Sequence, residues 1–198
     1  APHDLVDEIV RSVAQPTIDE MAQRGTPFAG VLYVGLALTS KGPKVVEFNA
    51  RFGDPETQVV LARLVTPLGQ LLRAAARGEL ADFPALEWRD ESAVTVVVAS
   101  ASYPAQPKTG DPISGLEDVD GDGSRAGGGA YVLHAGTKAG DDGTLVSSGG
   151  RVLSVVALGA DLGEAREVAY TGVEKIDLPG SHHRSDIALK ALRGEITV

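Results

Sequence analysis

The chain has 198 residues, 43% of them hydrophobic, a formal net charge of −9 and no cysteine. That length, with a mean hydropathy near zero, allows a buried core in one large or two small domains. Disulfides, thiolate zinc sites and a cysteine nucleophile are excluded, and the acidic balance argues against a nucleic-acid partner, which needs a basic surface to displace counterions.

Residues 4–24 carry an imperfect helical stripe of Leu5, Ile9, Val13, Ile18 and Met21, and Pro16 predicts a break between two helices. Arg24-Gly25-Thr26-Pro27 is a turn. The apolar run Phe28–Leu38 then reads as a strand buried on both faces. Lys41-Gly42-Pro43 turns it back, so 30–38 and 44–51 are expected to form an antiparallel hairpin. No apolar run approaches the roughly 20 residues of a membrane helix, and the opening APHDLVDEIV lacks the basic and apolar regions of a signal peptide, so a soluble protein with no membrane partner is expected.

The second strand of that hairpin carries the chemistry. Side chains alternate across a strand, which puts Glu47, Asn49 and Arg51 on one face and Val46, Phe48 and Ala50 on the other, with the apolar face expected to be buried. A carboxylate and an amide oxygen on Cα atoms about 6.6 Å apart can converge on one Mg²⁺, which takes a few protein oxygens and leaves the rest to water and phosphate. Arg51 adds a fixed cation for phosphate oxygens. Asn49 is the only asparagine in the chain. Because the first strand has no acidic residue, any metal ligands on the hairpin must come from the second. Phe52-Gly53-Asp54-Pro55-Glu56 reads as a turn into a helix, with Asp54 at the N-cap and Pro55 in the first helical position. From spacing alone, a solvated edge strand before a capped helix and a metal–phosphate site both stand.

Helical spacing continues through Pro55–Val65 and Leu68–Arg77, with Gly78 as the C-cap. Residues 81–92 form the expected linker between domains 1–80 and 93–198, with Trp88 packing at the junction. From Ala93 the texture is β: strands at Val94–Ala99, Tyr131–His134, Thr144–Val146 and Arg151–Leu158, a short strand near Ile113, then helices at Leu162–Val173 and 186–193. Asp118-x-Asp120-x-Asp122-Gly123 opens like a calcium-binding EF-hand loop, but Gly129 stands where the bidentate glutamate is needed, so that reading is rejected. Adjacent His182 and His183 face opposite ways on a strand and read as a surface turn, His134 as a hydrogen-bonded core histidine, and Arg184 with Asp186 as an ion pair or an arginine offered to substrate.

Glu47-Phe48-Asn49-Ala50-Arg51-Phe52-Gly53-Asp54-Pro55-Glu56-Thr57-Gln58 resembles the signature of the phosphoribosylamine–glycine ligases, ATP-grasp enzymes of purine biosynthesis. The likeness continues through Gly30-Val31-Leu32-Tyr33, His134-Ala135-Gly136-Thr137, Gly150-Arg151-Val152-Leu153 and Arg184-Ser185-Asp186-Ile187. The resemblance implies an α+β chain, the C-terminal part of an ATP-grasp domain followed by a small, mainly antiparallel β domain with packed helices. It also implies a cytoplasmic enzyme with ATP, glycine and 5-phosphoribosylamine as substrates, joined through a glycyl phosphate. Glu47 and Asn49 would hold Mg²⁺ or Mn²⁺, Arg51 would be catalytic, and Gly53, Asp54 and Arg184 would lie near substrate. Residue 1 falls inside the ATP-grasp region, so a missing N-terminal half, with the ATP-clamping loop and the substrate domain, is expected as the partner. Two other readings are a non-catalytic folded piece, marked by an exposed apolar surface, and another ATP-grasp ligase. Ala188 departs from the pattern, which usually has glycine after Arg-x-Asp-Ile.

Overall fold

The structure, a computed structural model, describes residues 4–120 and 129–196. Two compact units divide it: one holds the chain up to Asp54 together with Leu64–Glu87, the other holds Pro55–Arg63 and Trp88–Glu195.

In the first unit the N-terminal helix runs on through Pro16 where a break is expected. Helix α1 (Leu5–Ile9) passes into a π turn (Val10–Ala14) and then α2 (Gln15–Gln23). A proline ring clashes with the carbonyl four residues before it, here that of Ser12; the wider π turn contains Ser12 and relieves the clash. Strands β1 (Tyr33–Thr39) and β2 (Gly42–Asn49) form the expected antiparallel hairpin around a turn at residues 40 and 41. Thr39 Oγ1 closes the turn by accepting from Lys41 N at 3.1 Å and donating to Gly42 O at 2.8 Å.

Two burial expectations fail on this hairpin. The first strand begins at Tyr33 and only Gly35 in it is buried. On the second, Val46 is 69% exposed and Phe48 44% exposed. Among the described residues the sheet has two strands, too few to close over both faces. Helix α4 (Leu68–Arg77) ends as expected at Gly78, whose φ of 72° is the left-handed conformation that glycine adopts without cost.

The second unit has a fuller core. Its central sheet takes β3 (Ser92–Ala99), β4 (Gly129–His134) and β7 (Arg151–Gly159) in the order β3-β7-β4, all antiparallel. A small hairpin joins β5 (Thr137–Ala139) to β6 (Leu145–Ser147). Valine and leucine dominate β7, and every residue of it after Arg151 is buried, as expected for a central strand covered on both faces. Helix α6 (Leu162–Lys175) lays Ala165, Ala169, Gly172 and Val173 on the sheet, and α3 (Glu56–Arg63) also packs against β3 and β7. The start of α6 is fixed reciprocally: Asp161 Oδ1 accepts from Glu164 N at 2.9 Å, and Glu164 Oε2 accepts from Ala160 N at 2.6 Å.

Smaller expectations are corrected here. His134 is exposed rather than core, with Nδ1 3.1 Å from Thr137 Oγ1, because it ends β4 where the sheet meets solvent. Trp88 is 45% exposed, so packing covers only about half of it. Around Ile113 there are two isolated bridges, Pro112 to Val146 and Ser114 to Asp177, in place of a strand. The Asp-rich loop lies outside the described residues from position 121 on; before it, α5 (Glu117–Asp120) is a single helical turn.

The last helix is shorter than expected, α7 (Leu189–Leu192), and its N-cap Ala188 has φ 60°. A left-handed L-residue costs roughly 1–2 kcal/mol, partly offset by the larger unfolded-state entropy of glycine, so Ala188→Gly is expected to stabilise this unit by about 0.5–1 kcal/mol. Thermal melting should then rise by roughly 1–4 °C. An unchanged or lowered midpoint would mean that contacts of the Ala188 methyl group outweigh the strain.

Candidate active site

The candidate site is built on β2. Antiparallel pairing sets Tyr33 opposite Asn49, Val34 opposite Phe48 and Gly35 opposite Glu47; the register then slips, and Leu36 meets Val45. Val46 is therefore a β-bulge. Glu47 and Asn49 lie beyond it, where alternation is regular, and they share one face with Gly35 and Tyr33. Their heads meet: Asn49 Nδ2 donates to Glu47 Oε1 at 2.9 Å.

Gly35 is what leaves room for that pair. A Cβ there would stand 3.1 Å from Glu47 Cγ and 3.3 Å from Tyr33 Cε1, so any larger residue would push the carboxylate aside. Glu47 is exposed and Asn49 half-buried, so neither needs the hairpin's core for support. The donor set, one carboxylate and one amide carbonyl with solvent on the open side, fits a hard divalent cation that keeps several waters or phosphate oxygens. Among the described residues no cluster of three or more acidic or histidine side chains gathers at one point.

Arg51 differs from expectation in its backbone. Strand β2 ends at Asn49 and Arg51 lies in the bend that follows, with Nη1 donating to Phe52 O at 2.6 Å. Its guanidinium is tied to the backbone of the bend rather than presented on the strand face. Gly53 is buried and Asp54 exposed; residues 54 and 55 make a turn before α3 starts at Glu56. Arg184 belongs to the other unit. There it clasps Asp186 through two bonds, Nε to Oδ1 at 2.8 Å and Nη2 to Oδ2 at 2.6 Å. The guanidinium holds the Asp186 carboxyl below the ordinary carboxylate range and is itself raised. A depressed carboxyl contributes stability above its unfolded value that is lost as pH falls through the folded one, so this pair loosens only in acid. Arg166 and Tyr170 hold the same segment: Arg166 Nη2 donates to Ser185 O at 2.7 Å and Tyr170 Oη donates to Arg184 O at 2.6 Å. The bulge at Val46 and the close approach at Gly35 are invisible to simple alternation.

The fold is shared with a ligase of known structure over part of that chain's length. A crystal structure of phosphoribosylamine–glycine ligase from Thermotoga maritima aligns over 94% of this chain and 44% of its own, with a TM-score of 0.76 and 32% identity. The phosphoribosylglycinamide synthetase ATP-grasp (A) domain matches residues 1–57 and the C domain of the same family matches residues 93–190. The chain belongs to the phosphoribosylglycinamide synthetase family. Relatives named phosphoribosylamine–glycine ligase include that of Streptomyces coelicolor, 65% identical over 94% of this chain, and that of Mycobacterium tuberculosis, 56% identical over the whole of it. This chain spans 44% of the length of each of those two relatives. Among the described residues no helix is long and apolar enough to cross a membrane.

Proposed function

We propose that this chain is the later part of an ATP-dependent ligase that joins glycine to 5-phosphoribosylamine, giving glycinamide ribonucleotide, ADP and phosphate in the cytoplasm. The carrying observation is the convergence of Glu47 and Asn49 on the open face of a hairpin in a chain of this family. ATP phosphorylates the glycine carboxylate, and the amine of phosphoribosylamine then displaces phosphate from the acyl phosphate.

In this reading Glu47 and Asn49 hold Mg²⁺ or Mn²⁺; when bound, the ion neutralises phosphate charge as the phosphoryl group transfers. Glu47 supplies the anionic oxygen. Asn49 supplies a neutral one by turning its amide, which at present offers nitrogen to Glu47. Arg51, already fixed by the Phe52 carbonyl, offers its remaining N–H groups to the transferring phosphoryl oxygens. Gly53 and Asp54 follow as the turn nearest those oxygens, and Arg184 is the residue of the second unit assigned to substrate. Residues 1–80 and 93–198 would act as two domains joined through 81–92. The test is ADP release by a full-length ligase carrying this sequence: release should require both glycine and phosphoribosylamine, and release with another carboxylate or amine pair instead would assign a different ATP-grasp ligase.

A second reading is favoured by one observation, the exposed apolar side chains of Val45, Val46 and Phe48 on the hairpin. By itself the chain is then a folded, non-catalytic piece that packs against the remainder of the ligase.

A further inference from the structure

The bulge at Val46 changes which side chains share the face of Glu47 and Asn49. In a regular strand Lys44, three residues before Glu47, would point to the opposite side. Here Glu47 pairs with Gly35 and Lys44 with Ala37, and Gly35 and Ala37 are two apart on β1 and share a face. Directly paired residues also share a face, so Lys44, Glu47 and Asn49 lie together. A bulge that re-aims a side chain in this way recurs next to active sites.

Three further features agree. The residues of β1 across from Lys44 and Glu47 are Ala37 and Gly35, both small, and the Tyr33 ring leans over Gly35 from the Asn49 side, 3.3 Å from where its Cβ would stand. Lys44 is exposed, and no hydrogen bond or ion pair holds its ammonium group among the described residues. Lying opposite residues two apart on β1, Lys44 and Glu47 are about 7 Å apart at Cα, within a lysine stem's reach of phosphate oxygens beside the metal-bearing end.

Resting on the metal–nucleotide reading above, we propose that Lys44 is a further phosphate-binding residue of this site, its ammonium contacting the non-transferred phosphate oxygens of the nucleotide while Glu47 and Asn49 serve the metal-bearing end. Such a contact is made equally in the ground and transition states, so it acts on nucleotide affinity and not on turnover.

The experiment is steady-state kinetics of a full-length ligase carrying this sequence, comparing Lys44→Met, Lys44→Arg and Glu47→Gln, with ATP varied at saturating Mg²⁺. Loss of one charge-assisted contact should raise KM for ATP about tenfold in Lys44→Met with kcat within about threefold of the parent, while Lys44→Arg keeps most of the affinity. The Arg variant separates a lost cation from a damaged hairpin, because it restores charge without restoring shape. An unchanged KM in Lys44→Met overturns the proposal, as does an Arg variant as weak as the Met variant. Glu47→Gln is read alongside: if it is impaired while Lys44→Met is not, the site stands and Lys44 is a solvated surface lysine; if it too is unimpaired, the site itself is wrong.

Discussion

In a full-length ligase carrying this sequence, Glu47→Ala and Asn49→Ala should each lower glycine-dependent ADP release by at least about a hundredfold, the order seen when one preorganised charge-stabilising group is removed. The same substitutions should barely move the melting temperature. Glu47 is exposed and its recorded bond is to Asn49, so removing it empties no core and orphans no buried group. The contrast is what identifies a functional pair, since a structural one would lose stability and activity together. Restoring part of the rate to Asn49→Ala by raising the Mg²⁺ concentration would tie the loss to the cation, because a weakened site refills by mass action. Undiminished ADP release in the double variant would end the metal-ligand assignment of both residues.

The hairpin, the α4 stop at Gly78 and the strand–strand–helix core of the second unit were legible because each rests on local rules: alternation, glycine in a left-handed cap, and β-branched runs. The pairing of Glu47 with Asn49 was legible for the same reason, since it needs only two positions of regular strand. What alternation could not give was the bulge, which is a property of two strands at once: nothing in Lys-Val-Val-Glu shows that Leu36 will meet Val45 and not Val46. Burial failed for a different reason. Val46 and Phe48 are as apolar as core residues, and their sequence carries no record of how many strands lie beside them. Pro16 failed because a π turn ahead of it offered a backbone solution that propensity does not include.

The exposed hairpin leads to the other large expectation, that these 198 residues alone have no ligase activity and bind Mg·ATP only weakly. Val46 at 69% and Phe48 at 44% exposure are on a two-stranded sheet, and the chain spans 44% of the Streptomyces coelicolor ligase. Catalysis of phosphoryl transfer is mostly positioning and electrostatics, and those act at full strength only where water is excluded. On this hairpin the candidate ligands Glu47 and Lys44 are open to solvent, so the attraction of Glu47 for a metal ion and of Lys44 for phosphate is weakened by water's high dielectric. Two or three solvent-screened contacts leave an affinity on the order of millimolar, the level of about 4 kcal/mol of binding free energy. Isothermal titration of the chain with Mg·ATP should therefore show no saturation in the micromolar range, and mixing with glycine and phosphoribosylamine should release no ADP. Adding the remaining portion of the ligase as a separate polypeptide should restore ADP release and shield Phe48 from solvent, seen as slowed amide exchange along β2. Full activity from the 198 residues alone would overturn this account of where the catalytic power lies.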